Sequence, residues 1–418
     1  MVAPYIPLGK RFMNRLSVPL IVPVLCAAAL ISLCAARLVH AEDQSPAEKV
    51  ALGRRLRDGV DGDKNPQEAV KLFRQAAEQG DAEGQLELGV CLEKGIGCKK
   101  NPKEAVKWYR RAAEQGNADA QCVLGLSLID GFGGKKNPKE AVQWFRKAAE
   151  QGKADAQSNL GSSLLIGIGC KKNPKEGIQW IRKAADQGVA AAQFNLGNCF
   201  EDGTGCEKNL EEAVTWYRRA AENGDADAQF FLADHLLDGI GCDKNPEEAA
   251  KWFREAAEKG LVAAQCNLGD CLRNGIGCEK NPQEAVKWYR LAAENEDPAA
   301  QFCLGYCLLD GVGCDKNPKE AVKWLRRAAE RGYKEAQQNL GYCLLNGIGC
   351  DKNPKEAVKW IRRAAEQGVA NAQALLGVCL INGIGCEEDP KEAIKWIHRA
   401  ADQGHEKAKA ILRELEQK

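Results

Sequence analysis

Cysteine is the residue whose spacing first suggests chemistry in this chain. Six Cys-x6-Cys pairs recur: Cys91/Cys98, Cys199/Cys206, Cys271/Cys278, Cys307/Cys314, Cys343/Cys350 and Cys379/Cys386. Each first member ends a segment of helical pattern, and each second follows a Gly-x-Gly turn that can fold the loop back. In one unit both positions are lost together, to Ser127 and Gly134. That joint loss supports disulfides within each unit, and closing so short a loop stabilises by roughly 2–3 kcal/mol in the chain-entropy model. Cys122, Cys170, Cys242, Cys266 and Cys303 have no partner in register. Five is odd, so at least one free thiol or intermolecular bond is expected. No Cys-x2-Cys occurs, so the spacing does not suit zinc, and neither a metal nor a cofactor is expected.

Other reactive types offer less. His235 stands in the cysteine slot of its unit between Asp234 and Asp238, and reads as a solvated substitution rather than a base. His398 and His405 read as surface residues. No serine after residue 41 begins Ser-x-x-Lys, the nucleophile motif of penicillin-recognising enzymes. The Gly-x-Gly follows a helix rather than a strand and lacks a third glycine, so it is a turn and not a phosphate cradle. No catalytic residue is expected.

The elements that position these residues follow from a repeat. Tryptophan falls at Trp108, Trp144, Trp180, Trp216, Trp252, Trp288, Trp324, Trp360 and Trp396, always 36 residues apart. Asn-Pro recurs at the same interval from Asn65-Pro66 to Asn353-Pro354, changed only to Asn209-Leu210 and Asp389-Pro390. Ten units of 36 residues fill 45–404, leaving 405–418 as a closing helix.

In the unit 81–116, Gly84, Leu88 and Leu92 recur at helical spacing, and Gly95 supplies a stop. Asn101 is a good N-cap, Pro102 fits the first helical position, and Glu104 can close a capping box on the Asn101 amide. Ala105, Trp108, Tyr109 and Ala112 then form one apolar stripe. Such a hairpin cannot bury its stripe alone, and stacked copies share a core. The predicted fold is all-α, an α/α superhelical solenoid of ten 36-residue helical hairpins. Tryptophan is expected in the core, with the helix-A glycines and the Ala-Ala pairs permitting close approach.

Composition agrees. Lys+Arg is 59 against 58 Asp+Glu, which gives little drive toward nucleic acid. Arg pairs such as Arg110-Arg111 and Arg326-Arg327 alternate with glutamates and read as a solvated face. Residues 1–41 read as a signal peptide: Lys10, Arg11 and Arg15, then apolar Leu16 to Ala36, then Val39-His40-Ala41 before Glu42. Its removal moves the formal charge from +1 to −3 and leaves 17 of 19 cysteines. The expected location is exported, periplasmic or extracellular, where disulfides persist. Retention of residues 13–41 as an anchor is the competing reading, and the one in which a membrane is a partner.

The unit Ala-x-x-x-Leu-Gly-x-x-Leu-x-x-Gly-x-Gly-x-x-x-Asn-Pro-x-Glu-Ala-x-x-Trp-x-x-x-Ala-Ala-x-x-Gly resembles the Sel1-like repeat throughout 45–404. Ala120-Gln121, Leu124-Gly125, Gly131-Phe132-Gly133, Ala141, Trp144 and Ala148-Ala149 carry it in one copy. The resemblance implies a tetratricopeptide-like solenoid acting as a protein-binding adaptor, with a polypeptide partner. A secreted cysteine-rich branch also implies an alternative, a β-lactam or peptidoglycan-fragment binding or hydrolysing enzyme. This chain departs from the family pattern: Leu92, Leu128 and Phe200 stand where tyrosine is usual, and Cys98 and Cys170 where valine is usual. Its cysteine pairs span helix A and the following loop, rather than helix B and the next helix A.

Specificity in such a stack can be written where helix A varies between units. Those positions hold Phe194, Asn195 and Asn198, then Phe230, Phe231 and Asp234, then Asn267 and Asp270, then Phe302 and Tyr306, then Asn339 and Tyr342. Asparagine can bond both groups of a peptide backbone, and aromatics add apolar contact. An extended polypeptide on the concave helix-A face is the expectation; contacts between neighbouring A helices are the other use for these aromatics.

Overall fold

The computed structural model describes residues 44–60, 62 and 64–416, so the leader read at 1–41 lies outside it. Every regular element among the described residues is an α-helix, twenty-one in all. Helix α1 (Pro46–Asp58) pairs with α2 (Pro66–Glu78), α3 (Ala82–Lys94) with α4 (Pro102–Glu114), and so on to α19 (Ala370–Ile381) with α20 (Pro390–Asp402). Helix α21 (Glu406–Glu416) follows. The first helix of each hairpin is A and the second B. The chain forms two compact units, one ending at Gln151 with three hairpins, the other starting at Gly152 with seven and α21. Within each unit hairpins stack as an α/α solenoid. Among the described residues no helix is long and apolar enough to cross a membrane.

Local chemistry sets the helix ends. Gly95 ends α3 at φ 75°, a left-handed conformation, with its N–H on the Cys91 carbonyl at 2.8 Å. Gly97 also has positive φ, and a Cβ there would stand 2.1 Å from the Pro66 carbonyl oxygen of the preceding hairpin. The Gly-x-Gly turn therefore seats one repeat on another. Asn101 caps α4 as expected, accepting from the Glu104 N–H. The capping box differs from the expectation. Glu104 accepts from the Asn101 side-chain amide at 2.9 Å, because the Asn101 backbone N–H already donates to the Leu92 carbonyl at 2.8 Å. That bond folds the loop back onto helix A, and it recurs from Asn65 to Asp389.

The hairpins close on a pairing of a glycine with a large side chain twenty residues later. Gly89 faces Tyr109, Gly125 faces Phe145, Gly197 faces Tyr217 and Gly269 faces Tyr289. A Cβ at Gly269 would stand 2.5 Å from the Tyr289 ring. These B-helix residues are among the largest fully buried side chains, and Trp108, 7% exposed, lies nearer the edge. Six of the tryptophans are buried near the edge of the core, Trp180, Trp252 and Trp288 are half-buried, and the centre belongs to their neighbours in sequence.

Helix A also carries a glutamine in nine of the ten hairpins, Lys49 taking its place in the first. Gln85 donates from Nε2 to the Ala77 carbonyl of the preceding B helix, and its Oε1 accepts from Gln115 at 2.8 Å. The arrangement recurs at Gln337 with Gln367 and at Gln373 with Gln403. Lys259, Asn295 and Arg331 replace the second glutamine in three successive repeats. There Gln229, Gln265 and Gln301 each leave a buried Oε1 without a protein donor.

Overpacking typically destabilises by 1–3 kcal/mol. Gly269→Ala should therefore lower stability by about 2 kcal/mol, although alanine is the better helix former by about 1 kcal/mol. Urea unfolding checks this, and a stabilised variant would contradict the packing account.

Candidate partner-binding face

The A-helix residues named above all lie in the second unit, and the structure divides them by role. Phe194 packs 5.4 Å from Phe231 and 5.7 Å from Tyr217 between ring centroids. Phe230 lies 5.8 Å from Phe253, and Phe302 lies 5.3 Å from Tyr333. These half-buried phenylalanines fill contacts between and within hairpins, the second use foreseen for them. Asn198 accepts from the Tyr217 hydroxyl at 2.6 Å, and Asp270 from the Tyr289 hydroxyl at 2.7 Å. Those two side chains satisfy buried tyrosines.

Asn195, Asn267 and Asn339 remain half-buried at the surface. Among the described residues Asn195 and Asn267 make no side-chain hydrogen bond, and Asn339 accepts only a 3.4 Å bond from Gln338. Tyr306 and Tyr342 are exposed at 38% and 53%. Three amides and two phenols are therefore presented by alternating and neighbouring repeats.

His235 is a correction. It is 2% exposed, not solvated, because its helix-A position points inward as the cysteines of other repeats do. Its Nδ1 lies 3.0 Å from the Ile240 carbonyl and its Nε2 lies 3.5 Å from Glu201, which also accepts from Tyr217. Burial first, then Asp238 and Glu201, push the Asp234 carboxyl up, against the opposing pull of His235. The Cys242 thiol lies 3.7 Å from the His235 carbonyl oxygen, and no three-residue metal cluster occurs among the described residues. His398 is exposed as expected. His405 is half-buried instead: its Nδ1 accepts from the Ala408 N–H at 3.1 Å and starts α21, while Nε2 contacts Asn371.

The cysteines of the described residues are thiols. In four of the Cys-x6-Cys pairs the second thiol lies against the first member's carbonyl oxygen: Sγ of Cys98 is 3.6 Å from that of Cys91, and Sγ of Cys206 is 3.4 Å from that of Cys199, with the same contact at Cys307/Cys314 and Cys379/Cys386. Burial pushes Cys91 and Cys199 up to about 12 and Cys343 up to about 11. Thiols so protonated are poor nucleophiles.

The B-helix face is occupied by its own ladder, which sequence reading took for solvated charge. Trp324 donates from Nε1 to Glu320 at 3.2 Å, and Arg290 of the preceding repeat donates to the same oxygen at 2.7 Å. Arg327 covers the Trp324 ring at 4.7 Å. Each Arg pair thus splits: Arg326 reaches Glu356 in the next repeat, and Arg327 caps its own tryptophan. The 30-residue Arg-to-Glu spacing was the available signal.

Comparison with known proteins follows this geometry. The Sel1 repeat matches ten times, at residues 50–81, 82–117, 118–153, 154–189, 190–225, 226–261, 262–297, 298–333, 334–369 and 370–405. The chain is similar to c5321, described as a protective antigen present in uropathogenic Escherichia coli strains displaying an SLR fold. Identity is 32% over 90% of this chain and 88% of that one, with a TM-score of 0.62. It is also similar to a Sel1 repeat protein from Oxalobacter formigenes, at 37% identity over 58% of this chain and 96% of that one, with a TM-score of 0.54. No curated protein matches.

The ladder carries a pH dependence. Hydrogen bonds from Arg110, Arg254, Arg290 and Arg326 hold Glu140, Glu284, Glu320 and Glu356 below the usual carboxylate range, against burial and with help from the tryptophans. A lowered folded-state pKa gives stability that is present above the unfolded value, about 4.3, and lost as pH falls through the folded one. The thermal midpoint should therefore fall below about pH 4.3. Glu320→Gln with Glu356→Gln should make that fall shallower, and each should cost under about 1 kcal/mol at pH 7 because the pairs are surface ones. Calorimetry across pH checks both, and an unaltered acid limb would contradict the assignment.

Proposed function

The chain belongs to the Sel1 repeat family, a fold typical of protein–protein interaction scaffolds, and from that premise we propose that it is an exported scaffold gripping an extended polypeptide on its concave A-helix face. The observation that carries this reading is the set Asn195, Asn267, Asn339, Tyr306 and Tyr342, whose polar ends make no bond between helices, Tyr306 bonding only Asp310 on its own helix. On the B-helix face the arginines and first-turn glutamates hold tryptophans and neighbouring repeats, and lysines such as Lys323 and Lys359 stay exposed. Packed helices lie about 8–10 Å apart and an extended chain advances about 3.3 Å per residue. One repeat therefore spans about three ligand residues, and asparagines in alternate repeats can bond its backbone at intervals while tyrosines contact its side chains.

Export rests on the leader at 1–41 and on the six cysteine pairs. In an oxidising compartment these pairs close within their repeats as the chain folds, before burial protects the thiols. The membrane is a partner only if residues 13–41 stay attached; nucleic acid is not one. No residue identified above supports the alternative of β-lactam or peptidoglycan-fragment hydrolysis: His235 is enclosed, and burial pushes the Cys91, Cys199 and Cys343 thiols up.

Asn195→Ala, Asn267→Ala and Asn339→Ala together should abolish capture of the polypeptide partner by the oxidised protein and leave its melting temperature unchanged. Binding that survives would sink the groove. Separately, differential alkylation of protein from the producing cell should find Cys91/Cys98, Cys199/Cys206, Cys271/Cys278, Cys307/Cys314, Cys343/Cys350 and Cys379/Cys386 linked; uniformly alkylated pairs would contradict export into an oxidising compartment.

A further inference from the structure

Neighbouring A helices meet through a relation that the Cys-x6-Cys pattern does not contain. The sixth residue of one 36-residue unit touches the seventh of the next, 37 residues on. Phe194 and Phe231 stand in this relation, with ring centroids 5.4 Å apart. Cys266 and Cys303 stand in it too. Both side chains are buried in one apolar cluster at 7% and 8% exposure, and Cys303 is the neighbour that bears most on the Cys266 thiol. Both had looked unpaired, because the search for partners within a repeat misses a spacing of one unit plus one.

We propose that Cys266 and Cys303 form a disulfide that fastens the repeat at 262–297 to the repeat at 298–333. This bond differs in kind from the others: they close one hairpin on its own loop, whereas this one joins two A helices directly beside Asn267. It fixes the spacing of the face that carries Asn267 and Tyr306.

The oxidant is a small-molecule disulfide such as glutathione disulfide. One thiol, as its thiolate, attacks the oxidant, forming a mixed disulfide and releasing one glutathione thiolate, which takes up the proton lost. The second cysteine then attacks the first sulfur, closing the Cys266–Cys303 bond and releasing the second glutathione with the second proton. Two protein thiols are oxidised and one glutathione disulfide is reduced to two glutathiones. Cys303 and burial both push the Cys266 thiol up. Exchange therefore belongs to the stage before these repeats close, or to their local opening.

The full chain, refolded in a mixture of oxidised and reduced glutathione, is alkylated in denaturant and digested without reduction. Cleavage before Asp270 separates Cys266 from Cys271, and cleavage after Tyr306 separates Cys303 from Cys307. The expected result is a Cys266–Cys303 linked peptide by mass spectrometry. In Cys303→Ser it should vanish and Cys266 should become fully alkylated, with the reciprocal result in Cys266→Ser. Wild-type protein in which Cys271/Cys278 is linked but Cys266 and Cys303 are both alkylated overturns the proposal. So does either residue linked to any other cysteine.

Discussion

The structure depends on one contact: a helix-A glycine laid against a large B-helix side chain twenty residues later. Both members of the pair are needed. The glycine lets the helices approach, and the tyrosine, phenylalanine, leucine or isoleucine supplies the buried area that holds them there. The pairing recurs in nine of the ten hairpins. The exception is Ala233, with Phe253 twenty residues later, and both residues are fully buried. Where the large residue is a tyrosine, the next turn of helix A supplies its acceptor, at Glu93, at Asn198 with Glu201, and at Asp270. A buried hydroxyl needs such a partner, and in other repeats the side chain is apolar.

A period that places this contact also places the joints between repeats. The Gly-x-Gly turn lies on the preceding B helix, the glutamine of helix A bonds the preceding alanine carbonyl, and arginine reaches the next glutamate. Repetition makes departures informative. Trp216 has a buried Nε1 with no protein acceptor, and beside it Arg182 covers Phe200 instead of extending to a glutamate. Glu296 replaces a glycine and is the one non-glycine residue with positive φ among the described residues, at 67°. Its neighbour Arg331 bonds its carbonyl at 2.9 Å. These substitutions leave the fold intact because each hairpin has several independent joints.

Much of this was legible in the sequence, since a 36-residue period with Asn-Pro starts and glycine stops leaves little choice but helical hairpins. What escaped reading depends on two helices at once. Glu104 turns to the Asn101 side chain because a bond across the hairpin has taken the backbone N–H. His235 is buried because its position faces Tyr217, which its own helix does not reveal. The Arg-to-Glu bridges and the meeting of Cys266 with Cys303 need the offset between stacked repeats, and a period alone does not supply an offset. Of the binding residues, the phenylalanines, Asn198 and Asp270 turned to structural work; the other asparagines and two tyrosines did not.

The central claim is an asymmetry: one face is spent on holding the repeats together and the other is left for a partner. It is tested most directly by placing a photo-crosslinking residue at Tyr342 in one protein and at the exposed B-helix residue Lys359 in another. Each oxidised protein is irradiated in the envelope or extracellular fraction of the producing cell. The account predicts a discrete protein adduct from position 342 and none from position 359. An adduct from position 359 alone, or the same adduct from both, would contradict it.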